Sequence, residues 1–173
     1  DGGHYAVFTP FYNRARQLFV APPQDCMPTN LCSTKYSDIV LEDLPSGVPR
    51  GKAQSVFLPG RQGALQVLAN LAPLETYETD RNFPALPGTS HLSAHMKFGT
   101  CSVREAYQAI AENLGDQHPL LRQLYWRDFF THIGFHRPRV FGHAFRELYD
   151  GIVWDQAGEK FQCWCEGKTG FPI

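Results

Sequence analysis

Gly88-Thr89-Ser90-His91-Leu92-Ser93-Ala94-His95-Met96-Lys97-Phe98-Gly99 is bounded by glycines and sets three hydroxyl side chains at the opening of a helical turn. A helix start carries backbone N–H groups without intrahelical partners, and its dipole favours negative charge, so this stretch is suited to a phosphate-like anion. The same hydroxyls also make an ordinary Thr or Ser cap. Taken alone, the stretch leaves both readings open, and its surroundings decide between them.

Those surroundings are helical. Ser102-Val103-Arg104-Glu105 is a capping box, and Val103, Ala106, Tyr107, Ile110 and Leu114 share one face of the helix that follows, with Gly115 placed to end it. A further helix is predicted from near Pro119 to about His136, with Pro138 as its stop. Upstream, Ala64, Leu65, Val67, Leu68 and Leu71 recur at helix spacing from Gly60 until Pro73 closes the run. A short helix is expected from about Gly158 to Glu166, ending at Gly167. Residues 20 to 60 differ: Pro22, Pro23, Pro28, Pro45, Pro49 and Pro59 interrupt them without sustained periodicity, which reads as a long interdomain connection with a boundary near residue 60.

Composition narrows the class. A chain of 173 residues with 43% hydrophobic content can bury one ordinary core, which excludes disordered and fibrous classes. No apolar run approaches membrane-spanning length, and no secretory leader is visible. Five cysteines without framework spacing suit free thiols in a reducing compartment. The formal net charge of −1 does not by itself suggest a nucleic-acid partner. Residues 81 to 173 hold ten basic and nine acidic side chains against six and eight before them, so a local basic face remains available there.

In the helix after Pro119, Gln123, Trp126, Arg127 and Phe130 fall at i, i+3, i+4 and i+7, on one stripe. An indole, a guanidinium and an amide side by side could stack an extruded base and bond its edge. The alternative is an aromatic stripe in a helical core, against which stand the two polar members, costly to bury unpaired. Other motifs fall away. Gly167-Lys168-Thr169 lacks the glycine of a phosphate loop, since the fifth residue before Gly167 is Gln162. His91/His95 and His132/His136 have metal-like spacing but lack an adjoining Glu, and Cys163/Cys165 lack a second cysteine pair, so no metal is expected.

Three stretches, in order and at matching spacing, resemble the DNA photolyase and cryptochrome family: Gly88 to Gly99, Gln123-Leu124-Tyr125-Trp126-Arg127-Asp128-Phe129-Phe130, and Trp164-Cys165-Glu166-Gly167-Lys168-Thr169-Gly170-Phe171-Pro172-Ile173. Tyr5 to Tyr12 resembles it more loosely. The resemblance implies a mainly α internal segment: residues 1–20 end an amino-terminal α/β antenna domain that is largely missing, 21–59 are the interdomain linker, and 60–173 are the first helices of the FAD-binding domain.

By the same resemblance, Tyr77, Thr89, Ser90, His91, Leu92 and Ser93 hold FAD, with Arg127 serving either the flavin or an acidic partner. Gln123 and Trp126 face the lesion, and Arg81, Gln123, Trp126, Arg127 and Phe130 contact DNA. Trp154 matches the outermost tryptophan of an electron-transfer chain, although an isolated tryptophan beside Asp155 also suits packing. The implied activity is light-driven repair: a deoxyribodipyrimidine photolyase, a carbon-carbon lyase, binds UV-damaged DNA and splits cyclobutane pyrimidine dimers with an electron from excited reduced FAD. A folate or deazaflavin antenna is compatible with the full-length family pattern. A monomer acting in the cytoplasm, or in the nucleus of a eukaryote, is expected. The alternatives are a cryptochrome photoreceptor and a six-four photolyase, the latter because glutamine is common in those enzymes where Gln123 stands and glutamate is frequent in cyclobutane photolyases.

Overall fold

The computed structural model describes residues 3–24 and 58–171, and these form helices and connections with no strand among them, as the sequence predicts. Most of the predicted linker lies outside the described residues, as do Cys26, Cys32, Pro172 and Ile173. The helices are α1 (Phe8–Ala15), α2 (Gly60–Ala69), α3 (Tyr77–Asp80), α4 (Leu92–Lys97), α5 (Val103–Leu114), α6 (Pro119–His136) and α7 (Glu159–Cys165). Contacts divide the chain into two compact units, one from Tyr5 to Phe129 and the other comprising His4 and the residues from Phe130 onward.

In the first unit, Ala64 and Leu68 of α2, Leu92 of α4, Ala106 and Ile110 of α5, and Leu120, Leu121 and Leu124 of α6 meet in one core around Leu71. Leu71 and Ile110 are fully buried, so truncating either to alanine costs about 2–5 kcal/mol. The first turn of α2 approaches Leu58 so closely that a Cβ on Gly63 would lie 1.8 Å from the Leu58 carbonyl oxygen, a position only glycine can fill.

The capping box of α5 forms as predicted. Glu105 N–H donates to Ser102 Oγ at 3.1 Å, and Ser102 N–H donates to Glu105 Oε2 at 2.8 Å. The structure adds a second duty for Glu105. Arg61 of α2 grips both carboxylate oxygens, one at 3.0 Å from Nη1, so one side chain caps α5 and ties it to α2. That guanidinium first, and the Ser102 amide second, lower the Glu105 pKa to about 2. A depressed carboxyl contributes stability above its unfolded pKa and loses it as pH falls through the folded value, so this contribution fades between about pH 4.5 and about pH 2. Because Arg61 is half exposed, screening reduces the worth of the pair, and Glu105→Ala is expected to cost about 2 kcal/mol including the lost cap. Urea unfolding at neutral pH checks this: an unchanged midpoint would contradict the double role.

Aromatic rings join α1 to α6. Phe8 stacks on Trp126 with centroids 3.6 Å apart and planes 6° apart, and meets Phe129 edge-on at 5.7 Å. Tyr12 meets Tyr125 at 5.2 Å, while the Arg122 guanidinium lies 5.5 Å from Phe8 and 5.3 Å from Tyr12. The start of α6 is held by His118, whose Nδ1 accepts from the Leu120 amide at 3.3 Å.

The second unit is built differently. Its loop after α6 is organised by Asp150, which accepts from the Ala144 amide at 2.6 Å and from Arg139, with His143 Nδ1 at 3.5 Å. The backbone amide first, then Arg139, hold the Asp150 carboxyl below its ordinary range. His4 stacks on His136 and accepts from Arg137 Nε at 2.8 Å. Phe141, Leu148, Val153 and Trp154 are largely exposed in this unit. Among the described residues, no helix is long and apolar enough to cross a membrane, and no group of three His, Cys, Asp or Glu side chains could hold a metal ion.

Candidate functional site

The Gly88 to Gly99 stretch is positioned from beneath by α3. A Cβ at Gly88 would lie 2.6 Å from the Asp80 carbonyl carbon, so the chain can pass this close to α3 only as glycine. Asp80 is itself fixed by the hydroxyls of Thr76 and Thr79. The chain turns sharply at His91, which adopts a left-handed conformation with φ 54° and precedes α4. No other non-glycine among the described residues has a positive φ. A residue held in that region stores about 1–3 kcal/mol, and such strain concentrates at ligand sites.

This differs from the expected Thr or Ser cap. His91 occupies the cap position and makes no side-chain cap bond, while Ser90 Oγ accepts from the Leu92 amide at 3.4 Å. The Thr89 hydroxyl is turned to His91, 3.4 Å from its Nε2. At six residues, α4 is too short to carry much macrodipole, so any anion here depends on side chains more than on the helix start.

Between α3, α4, α5 and α6 lies a cavity of about 790 Å³. Tyr77, Thr89, Ser90, His91, Leu92, Ser93, Gln123 and Arg127 all line it, so the flavin set read from sequence and half of the α6 stripe converge on one space. Among the described residues its charged walls are the cations Lys97 and Arg127, with no carboxylate in the lining. Arg127 Nη1 bonds Asp128 at 3.2 Å, with both side chains about half exposed. Leu92, Ile110, Leu120, Leu124 and Met96 supply an apolar floor. Volume, mixed lining and cationic balance suit an amphipathic anionic ligand of substantial size.

The other sequence-selected residues lie elsewhere. Trp126 turns to Phe8, away from the lining of the cavity, and Phe130 is exposed on α6. The stripe therefore divides, because i+3 and i+4 diverge around the helix and an aromatic partner takes one branch. Arg81 lies over the Tyr77 ring, 5.5 Å from its centroid, and Tyr77 is buried. Trp154 is 79% exposed. Met96, Lys97, Ile110 and Leu120 line the cavity although the sequence did not mark them. Lys97 could have been found from its place within the hydroxyl-rich stretch, whereas Ile110 and Leu120 look like any core residues.

Comparison with known proteins agrees with this geometry. Residues 120–173 match the FAD binding domain of DNA photolyase. The chain is 28% identical to the deoxyribodipyrimidine photo-lyase of Synechococcus over its full length, 31% to that of Agrobacterium fabrum, also over its full length, and 32% over 99% of it to that of Escherichia coli. Those alignments cover 40%, 39% and 39% of the relatives, so the chain spans about two fifths of their length. The crystal structure of a bacterial class III photolyase from Agrobacterium tumefaciens superposes with a TM-score of 0.77 at 27% identity, over 96% of this chain and 37% of that one. FAD, the cofactor of the matched domain, is amphipathic and carries a pyrophosphate, and the cations, hydroxyls and apolar floor of the cavity fit it. From the helical architecture, the FAD-compatible cavity and these relatives together, the chain belongs to the DNA photolyase family.

Proposed function

We propose that this chain is the flavin-holding segment of a light-driven DNA repair lyase that acts on cyclobutane pyrimidine dimers. The observation that carries this reading is a single cavity gathering Tyr77, Thr89, His91, Ser93, Gln123 and Arg127, residues far apart in sequence and of matching chemistry. FAD bound there supplies the light absorption and one-electron chemistry by which the dimer is split. The protein's own contribution is binding, orientation and exclusion of water. Thr89, Ser90 and Ser93 offer hydroxyl donors to phosphate oxygens, and Lys97 and Arg127 neutralise their charge. Leu92, Ile110 and Leu124 keep the floor dry, which strengthens those polar contacts.

Gln123 brings an amide to the cavity wall, suited to hydrogen-bonding the edge of an extruded pyrimidine. Trp126 and Phe130 would add aromatic surface for the damaged strand, and Arg81 would meet a phosphate. UV-damaged DNA is then the partner, encountered in the cytoplasm or, in a eukaryote, the nucleus. The test is repair by the full-length protein of oligonucleotides carrying either lesion, in blue light and in darkness. Splitting of the cyclobutane dimer back to two pyrimidines in light alone is expected. Repair of only the six-four product would change the substrate, and FAD binding without repair of either would favour the photoreceptor alternative.

A further inference from the structure

His118 stands just before α6, and its two ring nitrogens are placed unequally. Nδ1 accepts from the Leu120 amide at 3.3 Å, and an accepting nitrogen carries no proton, so the ring N–H is at Nε2. Among the described residues, Nε2 of His118 is the one buried side-chain nitrogen or oxygen without a hydrogen-bond partner. An unpaired buried donor is costly, and folded proteins seldom keep one without a use for it. The aromatic ring beside it is that of Tyr77, with centroids 6.3 Å apart and planes tilted by 46°. Tyr77 opens α3, is buried and lines the cavity assigned to FAD, whereas His118 lies behind that lining. The Tyr77 hydroxyl makes no hydrogen bond among the described residues either, although it is not sealed from solvent as Nε2 is. A donor and an acceptor of matching chemistry thus stand on neighbouring rings, unjoined, one in the cavity wall and one behind it.

We infer that His118 is a positioning residue of the cofactor site: filling the cavity joins its Nε2–H to the Tyr77 hydroxyl, and that bond holds Tyr77 against the ligand. The inference rests on the FAD reading and adds a residue to that same site. A ligand as large as FAD takes water away from the Tyr77 hydroxyl, and an acceptor deprived of water gains most from a donor already buried beside it. The imidazole is held ready, because the Leu120 amide fixes its tautomer and its orientation. The unpaired donor weighs on the empty protein and is satisfied in the loaded one, so part of the affinity for the cofactor originates behind the wall.

The experiment titrates the full-length protein, stripped of flavin, with FAD, and unfolds the same stripped preparations in urea. His118→Asn sets a carboxamide oxygen where Nδ1 stands and carries no donor as far out as Nε2. His118→Gln does the reverse, keeping a donor near Nε2 and giving up the acceptor for the Leu120 amide. His118→Ser, which also caps and lacks the far donor, replaces the asparagine variant should that fold poorly. The expected result for His118→Asn is a Kd for FAD weakened by roughly fivefold to thirtyfold, with the urea midpoint of the empty protein unchanged. His118→Gln should show the opposite pattern, a lower midpoint with a Kd near wild type. In a Tyr77→Phe background the asparagine substitution should cost nothing further, since the acceptor is already gone. Wild-type affinity in His118→Asn, or penalties that multiply in the double variant, would overturn the inference while leaving FAD as the cofactor. Midpoints that shift with no change in Kd would overturn it too, as the mark of a purely structural residue. Failure of every form, wild type included, to bind FAD would overturn the functional reading as well.

Discussion

Arg127→Ala in the full-length protein is expected to weaken FAD binding by about 10-fold to 100-fold, the effect of removing a charge-assisted contact worth about 1.5–3 kcal/mol. Arg127 stands on α6, lines the cavity wall and bonds the adjoining Asp128. Arg127→Lys separates the two roles open to it, because lysine keeps the charge but loses the planar fork. An intermediate affinity is expected for that variant. The residue is about half exposed and away from the centre of the core, so thermal stability should change little in either variant. Wild-type affinity in Arg127→Ala, measured by flavin fluorescence, would remove the side chain from the flavin site.

Trp154→Phe is expected to cut photoreduction of oxidised flavin to a small fraction of wild type while leaving repair by chemically pre-reduced protein unchanged. We propose, from its resemblance to the solvent end of a tryptophan chain, that it has a part in supplying electrons and none in splitting the lesion. At 79% exposure the indole makes few packing contacts to lose, so the substitution should keep stability within about 0.5 kcal/mol. Both activities are measured on one preparation. Undiminished photoreduction would remove Trp154 from the electron path, and a repair defect with pre-reduced flavin would make it part of the lesion site.

The helices that carry strong boundary chemistry could be read from sequence. Ser102 and Glu105 fix the start of α5, Gly115 its end, and Pro119 and Pro138 bracket α6. Helix α1 was legible in principle, since Phe8, Phe11, Tyr12 and Ala15 recur at helix spacing, but resemblance assigned residues 1–20 to the end of another domain. Helix α3 has four residues, too few for any periodicity to register. The hydroxyls of Thr89, Ser90 and Ser93 pointed to the cavity because their chemistry is local. The left-handed turn at His91 and the close passage of Gly88 over Asp80 were not visible, because backbone conformation and contacts between segments leave no periodic signal. For the same reason, helical spacing put Trp126 beside Gln123, while the structure pairs it with Phe8 from a distant part of the chain.

The account centres on the cavity between α3, α4, α5 and α6 as the seat of the flavin. The most direct test is the crystal structure of the full-length protein loaded with FAD. The cofactor should lie in this cavity, its phosphates within hydrogen-bonding distance of Thr89, Ser90 or Ser93 and of Arg127. Flavin bound elsewhere while this cavity stays empty would contradict the account.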